Sequence, residues 1–191
     1  MGEVVDLGRG ASLVVGHVDL ATIHPDLTLE RTWAYRPDAA LVVRTPAGPR
    51  PIPRRAQAYG RDFAFSGQTA PAAPLPPELA AARDWAACAT GTAYNGLLVN
   101  WYADGSEYIG PHADNTTALV PGSHILTLTL GAGRRFRVRD RESGKPVTTI
   151  TLADGDWVAM CGTMQEHFTH EIVKTTIPTG PRISVTMRQF A

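Results

Sequence analysis

The sequence predicts a mainly β protein, a sandwich or barrel behind a mixed α/β lead-in, and three observations carry that prediction. From Leu97 onward the segments LLVNWY, ILTLTL, RRFRVRD, VTTITL, DWVAM and RISVTMRQF alternate or run apolar, with Gly, Asp or Pro between them. Short strands so closely spaced read as stacked or closed sheets. One segment, ELAAARDWAACATG, is rich in helix formers, has prolines at its start and Gly91 after its end, and predicts a helix over about 77–90. Finally, 191 residues with 43% hydrophobic and 19% charged content suit one domain with a sizeable core and disfavour disorder.

Ahead of the helix, SLVVG and ALVVR read as strands among Pro, Gly and Asp, and TAPAAPLPP as a connector. No repeat of fixed period stands out. No run of about 18 apolar residues could span a membrane, and MGEVVDLGRG lacks the basic start and apolar stretch of a signal peptide, so the expected compartment is the cytoplasm. Cys88 and Cys161 lie in an alanine-rich helical stretch and an apolar segment, and are expected as buried thiols rather than a disulfide. The formal net charge of zero gives no general attraction for nucleic acid, but the charge is uneven. Arg31, Arg36, Arg44, Arg50, Arg54, Arg55 and Arg61 face only Asp38, and Arg134, Arg135, Arg137, Arg139 and Arg141 are diluted only by Asp140. Two such patches can meet a phosphate backbone; they can equally be solvated surface.

The chemistry gathers around GPHADNTTALVPGSHILTLTLG. On a strand, residues two apart share a face, so His112 and Asp114 would present an imidazole and a carboxylate together. Two histidines and one carboxylate on one face of a metal are the ligand set of a non-haem Fe(II) oxygenase. The third ligand must come from a distant strand, and His167 and His170 both qualify, although their odd spacing lets only one reach the metal. In RISVTMRQF, Arg182, Ser184, Thr186 and Arg188 take one side and Ile183, Val185 and Met187 the other. If the polar side faces solvent it needs no explanation; if it faces a core it needs an anion, such as a dicarboxylate held by bidentate pairing. Asn100 and Tyr102 also share a face.

Taken together, NWYADGSEYIGPHAD, PGSHILTLTLGAGRRFRVRD, HFTHEI and PRISVTMRQF resemble the core of the AlkB family of Fe(II)- and 2-oxoglutarate-dependent dioxygenases. The resemblance spans roughly 94–191 and reappears in PRRAQAYGRDFAFSG, residues 53–67, which is similar to that family's nucleotide-recognition lid. It implies a double-stranded β-helix, a jelly-roll-like barrel with flanking helices and an N-terminal lid, in a single domain. About 1–92 would form the extension, lid and helix and about 93–191 the catalytic core. It implies His112, Asp114 and His170 as iron ligands and Asn100, Tyr102, Arg182 and Arg188 as 2-oxoglutarate contacts. Phe63, Phe65, Tyr59 and Arg54 fall in the lid, and Thr116 beside the metal, as substrate contacts. The implied activity is oxidative demethylation of 1-methyladenine and 3-methylcytosine in DNA or RNA. It consumes Fe(II)-activated O2 and 2-oxoglutarate, and formaldehyde, succinate and CO2 leave.

Two departures bear on substrate. Members acting on methylated bases usually carry acids just after the H-x-D, where this chain has Asn115, Thr116 and Thr117. The loop RTPAGPRPIPRR lacks the aromatic finger that fills a duplex gap, and Pro46 is a poor wedge, so single strands are the expected partner of a monomer. Two other classes compete: an Fe(II)/2-oxoglutarate oxygenase of a protein side chain or small metabolite, and a non-catalytic binding barrel. The intact ligand set and both arginines disfavour the last.

Overall fold

Alternation on strands that are covered from both sides builds three layers. The computed structural model describes residues 2–65 and 68–191, so Ser66 and Gly67 of the lid-like stretch lie outside the described residues. The first half supplies β1 (Glu3–Gly8), β2 (Ala11–His17), α1 (Leu20–Ile23), α2 (Leu29–Trp33), β3 (Val42–Thr45), β4 (Gly48–Pro51), β5 (Arg55–Tyr59), β6 (Phe63–Phe65), β7 (Gln68–Ala70), β8 (Ala72–Ala73) and α3 (Pro77–Thr90). The second half supplies β9 (Gly96–Tyr102), β10 (Ile109–His112), β11 (Ile125–Gly131), β12 (Arg134–Asp140), β13 (Pro146–Leu152), β14 (Asp156–Gly162), α4 (Met164–His167), β15 (Phe168–Ile172) and β16 (Arg182–Arg188).

The large sheet runs β1-β2-β14-β11-β16-β9-β5-β8, and the small one β10-β15-β12-β13. Among the described residues, β5 and β8 are the one parallel pair. Strands from the first 60 residues thus extend the large sheet on both sides of β14, β11, β16 and β9.

One face of the large sheet is oil. Leu97, Val99 and Trp101 of β9, Leu126, Leu128 and Leu130 of β11, and Ile183, Val185 and Met187 of β16 pack with Leu79, Ala82 and Ala86 of α3. That helix starts as its sequence dictates, with Pro77 where no N–H is needed, and stops at Gly91, whose φ of 71° closes an N–H bond to the Ala87 carbonyl. Trp85 of α3 meets Trp157 of β14 edge-on at 6.0 Å. The Trp157 ring fills the space a side chain would take at Gly16, its cross-strand partner. The other face meets the small sheet through Leu13, Val158, Met160, Phe136, Val138, Leu152, Phe168 and Ile172. Between these apolar zones lies the polar face of β16.

Three expectations change. Cys88 is exposed, because it lies off the stripe of α3 made by Leu79, Ala82 and Ala86, and Cys161 is partly buried; both thiols are free. The turns α1 and α2 are too short to leave a helical period in sequence, and are made by caps: Asp19 accepts from Ala21 N and Thr28 from Arg31 N. The arginine cluster of β12 is not a patch. Arg134 points inward, 3% exposed, and donates to the carbonyls of Asp104, Gly105, Glu107 and Val173. Arg137 and Arg139 both reach Glu171 on the neighbouring β15, and Arg141 bonds the carbonyls of Gln165 and Glu166. Counting charges along the chain missed an acid supplied across the ladder.

In the first arginine group, Arg44 and Arg50 are exposed on the β3–β4 hairpin. Arg31 is tied to Glu78 and Arg55 to the Asp38 carbonyl.

Candidate metal and 2-oxoglutarate site

Antiparallel pairing of β10 with β15 sets His112 directly opposite His170, with ring centroids 4.3 Å apart. Asp114 arrives differently from the strand geometry expected of it. β10 ends at His112, so Asp114 sits in the loop beyond and is turned inward by two contacts. Its backbone N–H donates to Gln165 Oε1 at 2.8 Å, and its Oδ2 accepts from Arg188 Nη2 at 2.7 Å and Nε at 3.1 Å. Oδ1 is then left 3.7 Å from His112 Nε2.

The three residues offer ligand atoms within 4.8 Å of one another. His112 Nδ1 lies 2.9 Å from the Gly110 carbonyl, which can only accept, so the proton is on Nδ1 and the lone pair of Nε2 is free to ligate. His170 Nδ1 is buried without a partner, and its ring stacks on Phe136 at 5.5 Å. Two imidazoles and one carboxylate with lone pairs unclaimed by protein fit Fe(II). His167, at the end of α4, is not in the group.

The protonation states suit ligation. Burial, then neighbouring His112, pushes the His170 imidazole down to about 3 against the pull of Asp114. Burial also lowers His112. Burial would raise the Asp114 carboxyl, but Arg188, His170 and His112 outweigh it and hold it at about 2. At neutral pH the set is two neutral imidazoles and a carboxylate, so a metal displaces no proton.

Gln165 carries no sequence signal beyond its proximity to His167 and His170, yet it anchors the loop bearing Asp114. Gln165→Leu is expected to weaken iron binding about 10-fold, because an outer partner that orients a ligand is worth that order of affinity. Competition with a chelator checks this, and an unchanged affinity would assign Gln165 to packing alone.

The polar side of β16 faces inward. Arg182, Ser184, Thr186 and Arg188 are 0–8% exposed, which removes the solvent-facing alternative. Register supplies their neighbours. Arg182 lies opposite Tyr102, and Ser184 opposite Asn100, on β9. Thr129 and Thr127 flank Ser184 and Thr186 from β11, and Thr127 Oγ1 meets Thr186 Oγ1 at 3.0 Å. The threonines of ILTLTL, read in sequence only as strand formers, line this same face.

Arg182 bonds Thr129 Oγ1 at 3.1 Å and lies over the Tyr102 ring at 5.3 Å, but its Nε and Nη1 are buried with no partner. Burial pulls its guanidinium down to about 10. A fully buried cation with idle donors calls for an anion, and a carboxylate of 2-oxoglutarate fits it.

A cavity of about 380 Å³ joins the metal-ligand group and the polar face of β16, with Arg182 behind Tyr102 and outside its lining, to the first half of the chain. Its inner end holds His112, Asp114, His170, Asn100, Tyr102, Ser184, Thr186 and Arg188. Its outer end holds Leu41, Val43, Ile52, Arg54, Phe63 and Phe65 from the β3–β4 and β6–β7 hairpins and the start of β5. Phe63 and Phe65 stack at 6.1 Å, and Arg188 lies over Phe63 at 4.9 Å. Tyr59 is elsewhere, 3% exposed in the core under α3, because the residues of β5 that alternate with Arg54 and Ala56 point away from the cavity. Thr116 is on an exposed turn outside the cavity, while its neighbour Asn115 lines it.

Comparison with known proteins agrees with this chemistry. Residues 54–188 match the family model described as the 2OG-Fe(II) oxygenase superfamily. The chain is 33% identical over 149 residues to a human protein named "DNA oxidative demethylase ALKBH2", covering 73% of this chain and 57% of that one. The mouse protein of the same name is 34% identical, with 73% and 62% covered. The chain thus spans about three fifths of these curated relatives. A solved structure titled "The structure of OsALKBH1" shares the fold, at a TM-score of 0.60 and 16% identity over 97% of this chain and 100% of that one. No helix among the described residues is long and apolar enough to cross a membrane. Matched along most of its length and carrying a site that fits Fe(II), 2-oxoglutarate and O2, the chain belongs to the 2OG-Fe(II) oxygenase superfamily and, within it, to the AlkB family.

Proposed function

We propose that this chain is an oxidative demethylase of N-alkylated bases in single-stranded DNA or RNA, acting as a cytoplasmic monomer. In this reading it is one catalytic domain, with a core from about 93 and the preceding residues as extension and lid. The observation that carries the reading is one cavity running from the metal-ligand group to the stacked Phe63 and Phe65 rings. The names of the human and mouse relatives add support.

His112, Asp114 and His170 would hold the iron, and Arg182 would pair with a carboxylate of 2-oxoglutarate, with Asn100 and Tyr102 beside it. Arg188 holds Asp114 in place and adds positive charge next to the co-substrate. Bound Fe(II) and 2-oxoglutarate would supply the activation of O2, with one oxygen ending in succinate as CO2 leaves and the other hydroxylating an N-methyl carbon that is lost as formaldehyde. The protein's remaining task is positioning. Phe63, Phe65 and the His112 ring bracket a flat base extruded from its strand, and Leu41, Val43 and Ile52 exclude water from the far side. Tyr59, buried away from the cavity, takes no part in binding the base, and Thr116 stands at its rim beside Asn115 without lining it.

The preference for single strands rests on the β3–β4 hairpin, whose tip around Pro46 and Ala47 has no aromatic ring to replace an extruded base. With 1-methyladenine or 3-methylcytosine as reference lesions, initial rates on single strands are expected to exceed those on the same strands in duplex by about tenfold. That factor, about 1.4 kcal/mol, is the low end of the cost of unpairing and unstacking, which is a few kcal/mol and least for a damaged base. Base mass and formaldehyde followed together measure it; faster turnover in duplex would contradict the strand preference. Oxidation of 2-oxoglutarate with every oligonucleotide left methylated would point to a protein or metabolite substrate.

A further inference from the structure

We propose that Arg54 makes the outer cavity a charge filter, favouring uncharged N-alkylated bases over cationic ones. The inference rests on the nucleic-acid reading above. Arg54 lines the cavity with Phe63, Phe65 and His112, and its Nε donates to Asn100 Oδ1 at 2.7 Å. No acid bonds it among the described residues.

The acids lining the cavity are otherwise engaged. Asp114 is held by Arg188, and Glu171 by both Arg137 and Arg139. Asn115, Thr116 and Thr117, which follow the ligand Asp114, carry no charge. Fe(II) and the 2-oxoglutarate dianion would cancel, and Arg188 cancels Asp114, so among the cavity-lining groups the Arg54 charge stands in excess. Burial lowers the Arg54 pKa, and a guanidinium remains charged at neutral pH all the same.

Bases divide cleanly in such a field. Alkylation at adenine N1 or cytosine N3 leaves a cation that Arg54 repels, with an exocyclic nitrogen beside the alkylated one that only donates; cytosine keeps its O2 as an acceptor, so between the pyrimidines the discrimination rests on charge and on the group at C4. Alkylation at thymine N3 or guanine N1 replaces a lactam hydrogen, leaving a neutral ring with a carbonyl beside the alkylated nitrogen that can accept from Arg54. At the separations available inside one cavity, the difference is on the order of tenfold or more in selectivity.

The test uses two single-stranded oligonucleotides identical except for 3-methylcytosine or 3-methylthymine at one position, mixed in competition. We expect the wild-type enzyme to favour 3-methylthymine in kcat/KM. Arg54→Gln is expected to raise the cytosine-to-thymine ratio about tenfold, while Arg54→Lys keeps the wild-type ratio. A ratio taken within one preparation is insensitive to any fraction lost to misfolding. Fluorescence anisotropy of the same oligonucleotides with metal-free protein should show the same ordering in Kd, independent of turnover. Turnover of both lesions with the same ratio in wild type and Arg54→Gln would overturn the filter alone. Decarboxylation of 2-oxoglutarate with neither lesion consumed would overturn the nucleic-acid reading and the filter with it.

Discussion

Arg182→Met is expected to weaken 2-oxoglutarate binding at least about 100-fold and, without 2-oxoglutarate, to leave the fold as stable as before or more so. The two effects have one cause. Arg182 is fully buried, and burial holds its guanidinium at about 10, well below the usual arginine range. A base whose pKa is depressed on folding loses stability wherever it is charged in both states. The cost is therefore present in full below about 10 and fades only as pH rises to the unfolded value. At neutral pH it is roughly 3 kcal/mol, and in a chain of this size relief of that order raises Tm by several degrees. A carboxylate on the idle Nε and Nη1 removes the same cost by pairing, so 2-oxoglutarate should raise the Tm of the wild type and leave that of Arg182→Met unmoved. Calorimetric titration and thermal unfolding, with and without 2-oxoglutarate, measure both. A variant less stable than wild type that still binds 2-oxoglutarate would mean that Arg182 is a structural residue.

Asp114→Asn should abolish turnover and destabilise the metal-free protein by about 3 kcal/mol, a larger loss than a surface carboxylate could cause. The carboxylate is both a ligand and the counter-charge of Arg188, whose side chain is nearly buried. Removing one member of a buried pair strands the other charge in a poor solvent, and that penalty dominates the change. The iron site fails separately, since the amide offers no negative charge to balance the metal. Denaturant unfolding and metal stoichiometry read the two losses independently. His170→Ala is the contrast: it removes a ligand but leaves the Arg188–Asp114 pair, so iron should be lost with less effect of this electrostatic kind. Full iron occupancy in either variant would contradict the ligand assignment.

Period-two alternation made much of this site legible. Because β16 keeps strict alternation, Arg182, Ser184, Thr186 and Arg188 had to share a side, and the opposing Ile183, Val185 and Met187 had to meet the helices. The pairing of β10 with β15 could be anticipated only as the need for a histidine from a distant strand; the register that sets His112 against His170 is a property of the assembled sheet. Asp114 was legible as a ligand type but not in its geometry, because the strand stops two residues earlier and a side chain from α4 turns the loop. Gln165, Thr127 and Thr129 were silent, having ordinary roles in helices and strands. Tyr59 went the other way: its lid-like neighbourhood suggested a base contact, yet alternation along β5 sends it under α3. Charge misled most, since Arg134 spends its donors on four carbonyls and Glu171 neutralises two arginines from an adjacent strand.

A single-turnover reaction tests most directly whether this interior couples its metal to a base. Protein loaded anaerobically with one equivalent of Fe(II) and 2-oxoglutarate is mixed with excess methylated single strand, and O2 is admitted. Succinate, formaldehyde and unmethylated base should then form in equal amounts, and Arg182→Met should form none of the three. Succinate without formaldehyde, with the strand unchanged, would show that the cavity beside Phe63 and Phe65 does not receive a base.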